Sequence, residues 1–387
     1  MARFLILVLL TASGAAAQSI VDPARLSPAM MDFDGGFHDL PLRCEVTPIR
    51  PTLNFGFRFQ AGYVVRVPMS QYLGKGHVWT VLARITPEDG NRKPVFLGFR
   101  TRLPEIPPTK IEMEQGGGYM LGEGRYQVAW KMWDDAGRVC RKNWKVYARL
   151  THGERKVKVA LPPSTVADLS LRGAPLTGHT EDDSPRIRLT VLMHAAPVSP
   201  RRMRLAARDR VILLGTLSSL LDRLPVRSVK LVVFNLDQQK ELYRQENFVP
   251  RSLDQVAQSI NAVELGTVDY QVLQNRGGHL DLLADLINGE LTAQTPSDVV
   301  LFLGPMARFS DKVPSEELEK PVGAAPRFYY LQYRSVFPQA STLPDVIANA
   351  VSKLKGRTLV IRSPGDFAKA IDQVESTKTV KATNEHE

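Results

Sequence analysis

From residue 186 onward, short runs of apolar, β-prone residues alternate with segments of helical spacing, and this alternation constrains the fold more than any other sequence feature. The run Arg186–His194 leads through a small-residue loop into a helical pattern at about Arg204–Leu224. Within Asp298–Leu303 every residue after the aspartate is apolar, as expected for a strand covered by helices on both faces. The pattern predicts an α/β doubly wound sheet over residues 186–375. Ligands of such sheets bind at the carboxyl ends of the strands, which places the candidate site near His194.

The remaining elements of this region follow the same logic. Strands are predicted at Ser228–Asn235, Phe328–Tyr333 and Thr358–Ile361, and helices at Ser252–Val263, His279–Asn288, Pro344–Leu354 and Phe367–Val374. Asp366 is the expected cap of the last helix. Residues 376–387 are polar and are expected to form a disordered tail.

Residues 42–161 have a different pattern, in which short β-prone runs are separated by Pro, Gly or charged turns. The runs are Leu42–Val46, Leu53–Phe59, Tyr63–Val67, Val78–Ile85, Val95–Phe99, Tyr126–Met132, Trp144–Leu150 and Lys156–Leu161. This spacing predicts an all-β sandwich domain. No phosphate-loop signature follows Gly116–Gly118, so a flexible turn is expected there. Residues 18–41 are interpreted as an extended arm and 162–185 as a linker.

The segment Gly122–Trp130 resembles the tyrosine corner of immunoglobulin-like and fibronectin-type sandwiches, in which a Tyr hydroxyl bonds back to the backbone. Tyr126 is the corner residue in this comparison. Asp134–Gly137 is predicted to be the hairpin turn that follows. Val128 stands where antibody-type domains have a cysteine, so their usual disulfide is not expected in its usual place.

The first 17 residues have the pattern of a cleaved signal peptide, with Arg3, an apolar run Phe4–Leu10 and the small residues Ala15–Ala17. The run is too short to span a bilayer, and no later stretch is long and apolar enough to do so. We therefore expect an exported protein, periplasmic or extracellular. Export would permit a disulfide between Cys44 and Cys140, although two separately buried thiols are equally compatible with the sequence.

The formal net charge is +10 and the pI about 9.6, which for an exported protein favours an anionic cell-envelope polymer or another protein as the partner. A basic surface that serves solubility alone is the alternative. The charge is spread along the chain and no nucleic-acid-binding motif accompanies it, so nucleic acid is not an expected partner.

The order of segments over residues 186–375 resembles a von Willebrand factor type A domain. Three stretches carry the resemblance: Val191–Val198, Gly277–Leu286 and Val299–Gly304. They stand at the positions of the family's first strand and Asp-x-Ser-x-Ser loop, its Gly-Gly-Thr turn, and its strand ending in Thr-Asp-Gly.

In that family the three loops hold a divalent cation through hydroxyl and carboxylate oxygens. Here His194, Ala196, Val198, His279 and Gly304 stand at the ligand positions, and none of them supplies such an oxygen. The resemblance therefore implies a type A-like domain with a degenerate metal site, and neither a metal nor another cofactor is expected.

A binding edge remains the main expectation, made of His194, Ser199, Arg201, Arg202, His279 and Gly304. Because five arginines follow the loop between positions 201 and 210, guanidinium groups are predicted to receive a partner's carboxylate or phosphate directly. An ordinary solvated basic face is the alternative.

Two enzymatic roles stay open. His194 and His279 could begin a zinc or copper site, with His179 or Asp281 as a third ligand, and Glu112 and Glu114 could serve a hydrolase. Hydrogen bonding at the sheet edge is the simpler role for the histidines.

A carbohydrate-binding module, with the four tryptophans as its platform, is a third possibility beside their ordinary role in a core. No nucleophile with an adjacent base is recognisable in the sequence. We therefore expect an exported, non-enzymatic interaction or adhesion-type protein that binds another macromolecule.

Overall fold

β-strands provide the framework of this protein in several sheets, as expected from the sequence. The computed structural model describes residues 18–35, 39–74, 76–89, 93–169, 187–199, 202, 204–263, 265, 270–334 and 344–376. The chain divides into two compact units, the first made of residues 1–53, 58–150 and 159–170 and the second of 54–57, 151–158 and 171–387. The predicted domains were continuous in sequence, whereas each unit includes separated segments. The predicted signal peptide and tail lie outside the described residues, apart from Ser376.

The described residues of the first unit form two sheets. Its strands are β1 (Ser19–Val21), β2 (Leu40–Pro41), β3 (Glu45–Leu53), β4 (Phe59–Pro68), β5 (Val78–Pro87), β6 (Val95–Arg102), β7 (Glu112–Leu121), β8 (Gly124–Asp134), β9 (Arg138–Ala148) and β10 (Val166–Ala167), with a single-turn helix α1 (Pro28–Met31). One sheet has the order β1-β6-β5-β8-β9-β2 and the other β10-β7-β4-β3. All pairs are antiparallel except β2 with β9.

Alternate residues of both sheets share one core, in which Tyr63, Trp79 and Trp130 are completely buried. A disulfide joins Cys44, just before β3, to Cys140 of β9 and so links the two sheets covalently, with the Cα atoms 6.3 Å apart. The sequence was compatible with either a bond or two separate thiols, and the structure has the bond.

The predicted arm, residues 18–41, lies along the first sheet rather than free of it. Its first strand, β1, pairs with β6 at one edge, and its last, β2, pairs with β9 at the opposite edge. Between them Phe33 packs on Leu82 and Phe96 of the outward sheet face. The sequence did not indicate these two short strand pairings, because the arm is rich in proline and glycine and has little periodicity.

The prediction of a strand at Leu53–Phe59 was wrong. Residues 54–58 form a turn in which Phe57 has a φ of 52°, and 54–57 belong to the second unit. There the Phe57 ring stacks on Phe367, with centroids 5.3 Å apart, while Phe55 meets Tyr333 edge-on. The alternating phenylalanines have the spacing of a strand, although Phe55 and Phe57 pack in the second unit.

The prediction of a flexible turn at Gly116–Gly118 was also wrong, because these residues lie in β7 and pair with β4. A Cβ on Gly117 would lie 2.2 Å from the hydroxyl oxygen of Tyr63. Glycine is required at this position so that the Tyr63 side chain can lie over the strand. The expected strand at Lys156–Leu161 is absent, since these described residues form turns and loop.

The described residues of the second unit form a mixed sheet. Its strands are β11 (Ile187–His194), β12 (Val226–Asn235), β13 (Lys240–Gln245), β14 (Val299–Pro305), β15 (Arg327–Tyr333) and β16 (Arg357–Ile361), in the order β13-β12-β11-β14-β15-β16. All pairs are parallel except β12 with β13, an edge strand that sequence reasoning missed. The order reverses between β11 and β14, and such a switch point is where open α/β sheets bind ligands.

The helices of this unit are α2 (Ala207–Arg223), α3 (Leu253–Asn261), α4 (Tyr270–Gln274), α5 (Gly278–Leu291), α6 (Val346–Lys353) and α7 (Pro364–Ser376). All but α4 were predicted to within a few residues. Asp366 lies inside the first turn of α7 rather than before it, and its carboxylate accepts the Ser363 N–H while Ser363 caps the Asp366 N–H. None of the helices in the described part of the chain has the length and hydropathy that a membrane crossing requires.

Candidate functional site at the switch point

The ends of β11 and β14 lie side by side at the switch point, so the structure brings His194 and Gly304 together as predicted. The backbone of Gly304 has a φ of 156°, and a Cβ there would lie 2.6 Å from the His194 carbonyl oxygen. Glycine therefore permits the close approach of the two strand ends.

His194 is a buried part of this edge, with 1% of its surface exposed. Its ring stacks on Phe234 at 5.4 Å, and its Nδ1 lies 3.4 Å from the Pro305 carbonyl oxygen. Burial lowers the pKa of His194, against the opposing charges of Asp237 and Asp345, which keeps the imidazole neutral. A side chain this inaccessible cannot contact a substrate, so His194 packs the edge of the sheet and does not present a reactive group there.

His279 lies at the start of α5 and is also buried. Its ring stacks on Phe309 at 4.2 Å, and its Nε2 lies 3.8 Å from an Asp311 carboxylate oxygen. The two candidate histidines thus pack on different aromatic rings. Among the described residues, no group of three or more His, Cys, Asp or Glu side chains is arranged to hold a metal ion. Of the suggested third ligands, Asp281 accepts a hydrogen bond from Asn275, whereas His179 lies outside the described residues.

A buried polar network next to His194 was missed by sequence reasoning. The Tyr330 hydroxyl lies 2.7 Å from the Pro305 carbonyl oxygen and 3.2 Å from an Asp345 carboxylate oxygen, which also accepts from the Gln332 amide at 2.6 Å. The other Asp345 oxygen caps α6 by accepting the N–H groups of residues 347 and 348. Burial raises the pKa of Asp345, and these hydrogen bonds oppose that rise. The network fixes the ends of β14, β15 and α6 relative to one another.

Two sequence signals could have revealed this network. Asp345 directly precedes a helical pattern and follows a proline, which is typical of a helix N-cap. Tyr330 and Gln332 share a face of a strand whose other residues are largely apolar. What the sequence could not show is that both strand residues converge on the cap of the next helix.

The remaining edge residues lie nearer the surface. Arg202 is exposed, and its N–H donates to the Ser199 carbonyl at 3.3 Å. Arg204 and Arg208 are exposed as well, and α2 begins immediately before Arg208. Arg201 lies outside the described residues. The switch point therefore consists of buried rings followed by exposed arginines.

The tryptophans and the glutamate pair considered for sugar binding and hydrolysis lie in the first unit. Trp79 and Trp130 are completely buried, so neither indole can present its face to a sugar. Glu112 and Glu114 share one face of β7, as expected, but Glu114 pairs with Arg66 at 2.6 Å. An exposed pair of this kind is typical of a solvated strand surface rather than of a hydrolase site.

Comparison with known proteins adds little to this description. Neither a protein family nor a curated protein matches the sequence. A crystal structure described as an ApaA protein from Bordetella pertussis is 16% identical over 29% of this chain and 99% of its own, with a TM-score of 0.21. A glycosyl hydrolase family 2 member from Bacteroides cellulosilyticus is 11% identical over 84% of this chain and 44% of its own, with a TM-score of 0.21. Scores this low support no inference about function.

Proposed function

We propose that this chain is a non-enzymatic binding protein that recognises an acidic partner through the switch-point edge of its second unit, without a metal ion. One observation carries the proposal: His194 and Gly304 close the strand ends at the switch point and are buried, whereas Arg202, Arg204 and Arg208 after β11 are exposed. A carboxylate or phosphate of the partner would meet guanidinium groups there in place of a cation.

The start of α2 supports this assignment. Basic residues near a helix N-terminus oppose the helix dipole and cost about 0.3–1 kcal/mol each. Arg208 occupies such a position, and the neighbouring Asp209 is buried with its carboxylate accepting the Ala206 N–H at 2.9 Å. A bound anion would be attracted both by the N–H groups of the first turn and by the arginines.

The fold assignment is part of the same proposal. We assign the second unit to a type A-like domain with a degenerate metal site, which the doubly wound strand order and the positions of His194 and Gly304 support. The first unit is assigned to the immunoglobulin-like sandwiches. The Tyr126 hydroxyl supports this, since it donates to the Gly122 carbonyl at 2.8 Å as a tyrosine corner does.

Export from the cytoplasm belongs to this proposal as well. A structural disulfide such as Cys44–Cys140 persists in oxidising compartments and is rare in the cytosol. The disulfide therefore supports a periplasmic or extracellular location for the partner.

Site-specific photo-crosslinking in native cells tests the proposed edge. A benzoylphenylalanine at position 202 should capture a partner, whereas the same probe at Arg227 should not. Arg227 is exposed at the amino-terminal start of β12, at the other end of the same sheet, which makes it a matched control.

Charge reversal provides the second half of the test. Arg202→Glu with Arg208→Glu should reduce partner binding about tenfold or more, because two attractive contacts become repulsive. Arg227→Glu with Arg357→Glu makes the same change in net charge at the opposite edge and should leave binding nearly unchanged. Equal effects of the two pairs would show that the edge is not the recognition surface.

A further inference from the structure

The outward face of the six-stranded sheet of the first unit carries a concentration of positive charge. Strand alternation and register place five basic side chains on the face opposite the core: Arg84 of β5, Arg100 and Arg102 of β6, Lys131 of β8 and Arg141 of β9. We call these five residues the cationic face. Across the outward positions of strands β5, β6, β8 and β9 there is no Asp or Glu. Arg125 and Lys145 lie on the same side but are paired with Asp89 and Glu88 of a neighbouring loop.

The acidic N-terminal arm already occupies part of this face. Asp39 pairs with Arg141 at 2.5 Å, and the Lys131 ammonium group donates to the carbonyl oxygens of Ala29 and Asp32 at 3.0 and 2.7 Å. The Phe33 ring lies 4.8 Å from the Arg84 guanidinium carbon and 5.1 Å from the Lys131 nitrogen. The cationic face therefore binds a carboxylate, two carbonyl oxygens and an aromatic ring, all supplied by a short segment of the arm.

The arm leaves one side of the face open. Strand β1 pairs only with residues 96–98 of β6, while Arg100 and Arg102 lie beyond this pairing and are exposed. Side chains on a sheet face repeat about every 7 Å along a strand and about 4.8 Å across strands. Such a grid of cations suits an extended polymer with regularly spaced negative groups.

We propose that the cationic face binds an acidic polysaccharide and that the arm competes with it for Lys131 and Arg141. A polyuronate chain combines what the arm supplies, namely carboxylates, hydroxyl oxygens and ring faces that stack on charged and aromatic groups. A membrane surface is less suitable, because the large apolar side chains Leu82 and Phe96 of this face are covered by the arm. The inference concerns the first unit and does not depend on the proposed edge of the second.

Binding of alginate oligomers to the protein, with uncharged dextran of equal length as the control, tests the proposal. We expect alginate alone to bind, with an affinity that falls as salt is added. Arg100→Glu with Arg102→Glu should weaken binding about tenfold. The control pair, Arg50→Glu with Lys142→Glu, changes the net charge equally at exposed positions off this face and should change affinity by less than about twofold.

The role of the arm needs a separate variant. Asp39→Asn removes the ion pair with Arg141 and should strengthen alginate binding about threefold, because a competing anion is lost. Unchanged or weaker binding by this variant would overturn the competition. Equal losses for the two charge-reversed pairs, or tighter binding to phosphatidylglycerol vesicles or DNA than to alginate, would overturn the polysaccharide assignment.

Discussion

Replacing one glycine of β7 with alanine tests whether the Gly116–Gly118 run is a packing requirement of the strand. A Cβ on Gly117 would lie 2.2 Å from the Tyr63 hydroxyl oxygen, 2.3 Å from its ring carbon and 2.6 Å from the Gln18 amide oxygen. The Tyr63 ring is fully buried against Trp130, at 5.3 Å, so it has little room to retreat. Overpacking of this kind costs about 1–3 kcal/mol, and we expect the upper end for Gly117→Ala.

The neighbouring glycine supplies the control. A Cβ on Gly116 would meet nothing nearer than the Tyr63 carbonyl oxygen, at 3.8 Å. Gly116→Ala should therefore stabilise the protein by about 0.4–1 kcal/mol, because alanine reduces the conformational entropy of the unfolded chain. All four tryptophans of the chain lie in the first unit, so denaturation followed by tryptophan fluorescence reports its unfolding. Similar free energies of unfolding for the two variants would refute the reasoning.

Three further outcomes follow from buried or bonded groups. Burial lowers the pKa of Lys131 from 10.5 to about 8, so between these pH values the unfolded chain binds more protons than the folded protein. The free energy of unfolding should therefore rise with pH across that window, by at most about 3 kcal/mol. Unfolding followed by tryptophan fluorescence should show this rise for the unaltered protein and not for Lys131→Met. Replacing Cys44 and Cys140 with alanine should cost about 4–5 kcal/mol, because the bond closes a loop with a sequence separation of 96, and equal unfolding midpoints would contradict this. Glu290→Ala should lower the free energy of unfolding, measured by calorimetry, by about 3 kcal/mol, since Glu290 is buried and pairs with Lys230 at 3.0 Å. A change under about 1 kcal/mol would mean that the pair has no structural role.

The α/β half of the fold was predictable because its strands and helices have distinct periods and because buried parallel strands are continuously apolar. β13 escaped prediction, since Lys240–Gln245 is a polar edge strand with little periodicity. The first unit was harder to predict. The glycines of β7, and the phenylalanines after β3 that belong to the second unit, follow packing against residues distant in sequence, which no local pattern encodes.

The geometry of the candidate site was predictable from the sequence only in part. The contact of His194 with Gly304 followed from parallel strands ending at one edge. Burial of both histidine rings on phenylalanines did not follow, because the stacking depends on how each ring packs against Phe234 of the neighbouring strand β12 and Phe309 of the loop after β14. The same holds for Asp345, whose carboxylate joins strand β15 to the start of helix α6.

The central claim is that the switch-point edge binds an acidic partner through charge and without a metal ion. The most direct measurement is the yield of photo-crosslinked partner from the probe at position 202, compared with chelator and with increasing salt. Chelator should leave the yield unchanged and salt should lower it steeply, because exposed ion pairs are screened. A yield that chelator abolishes and salt leaves unchanged would contradict binding through charge without a metal ion.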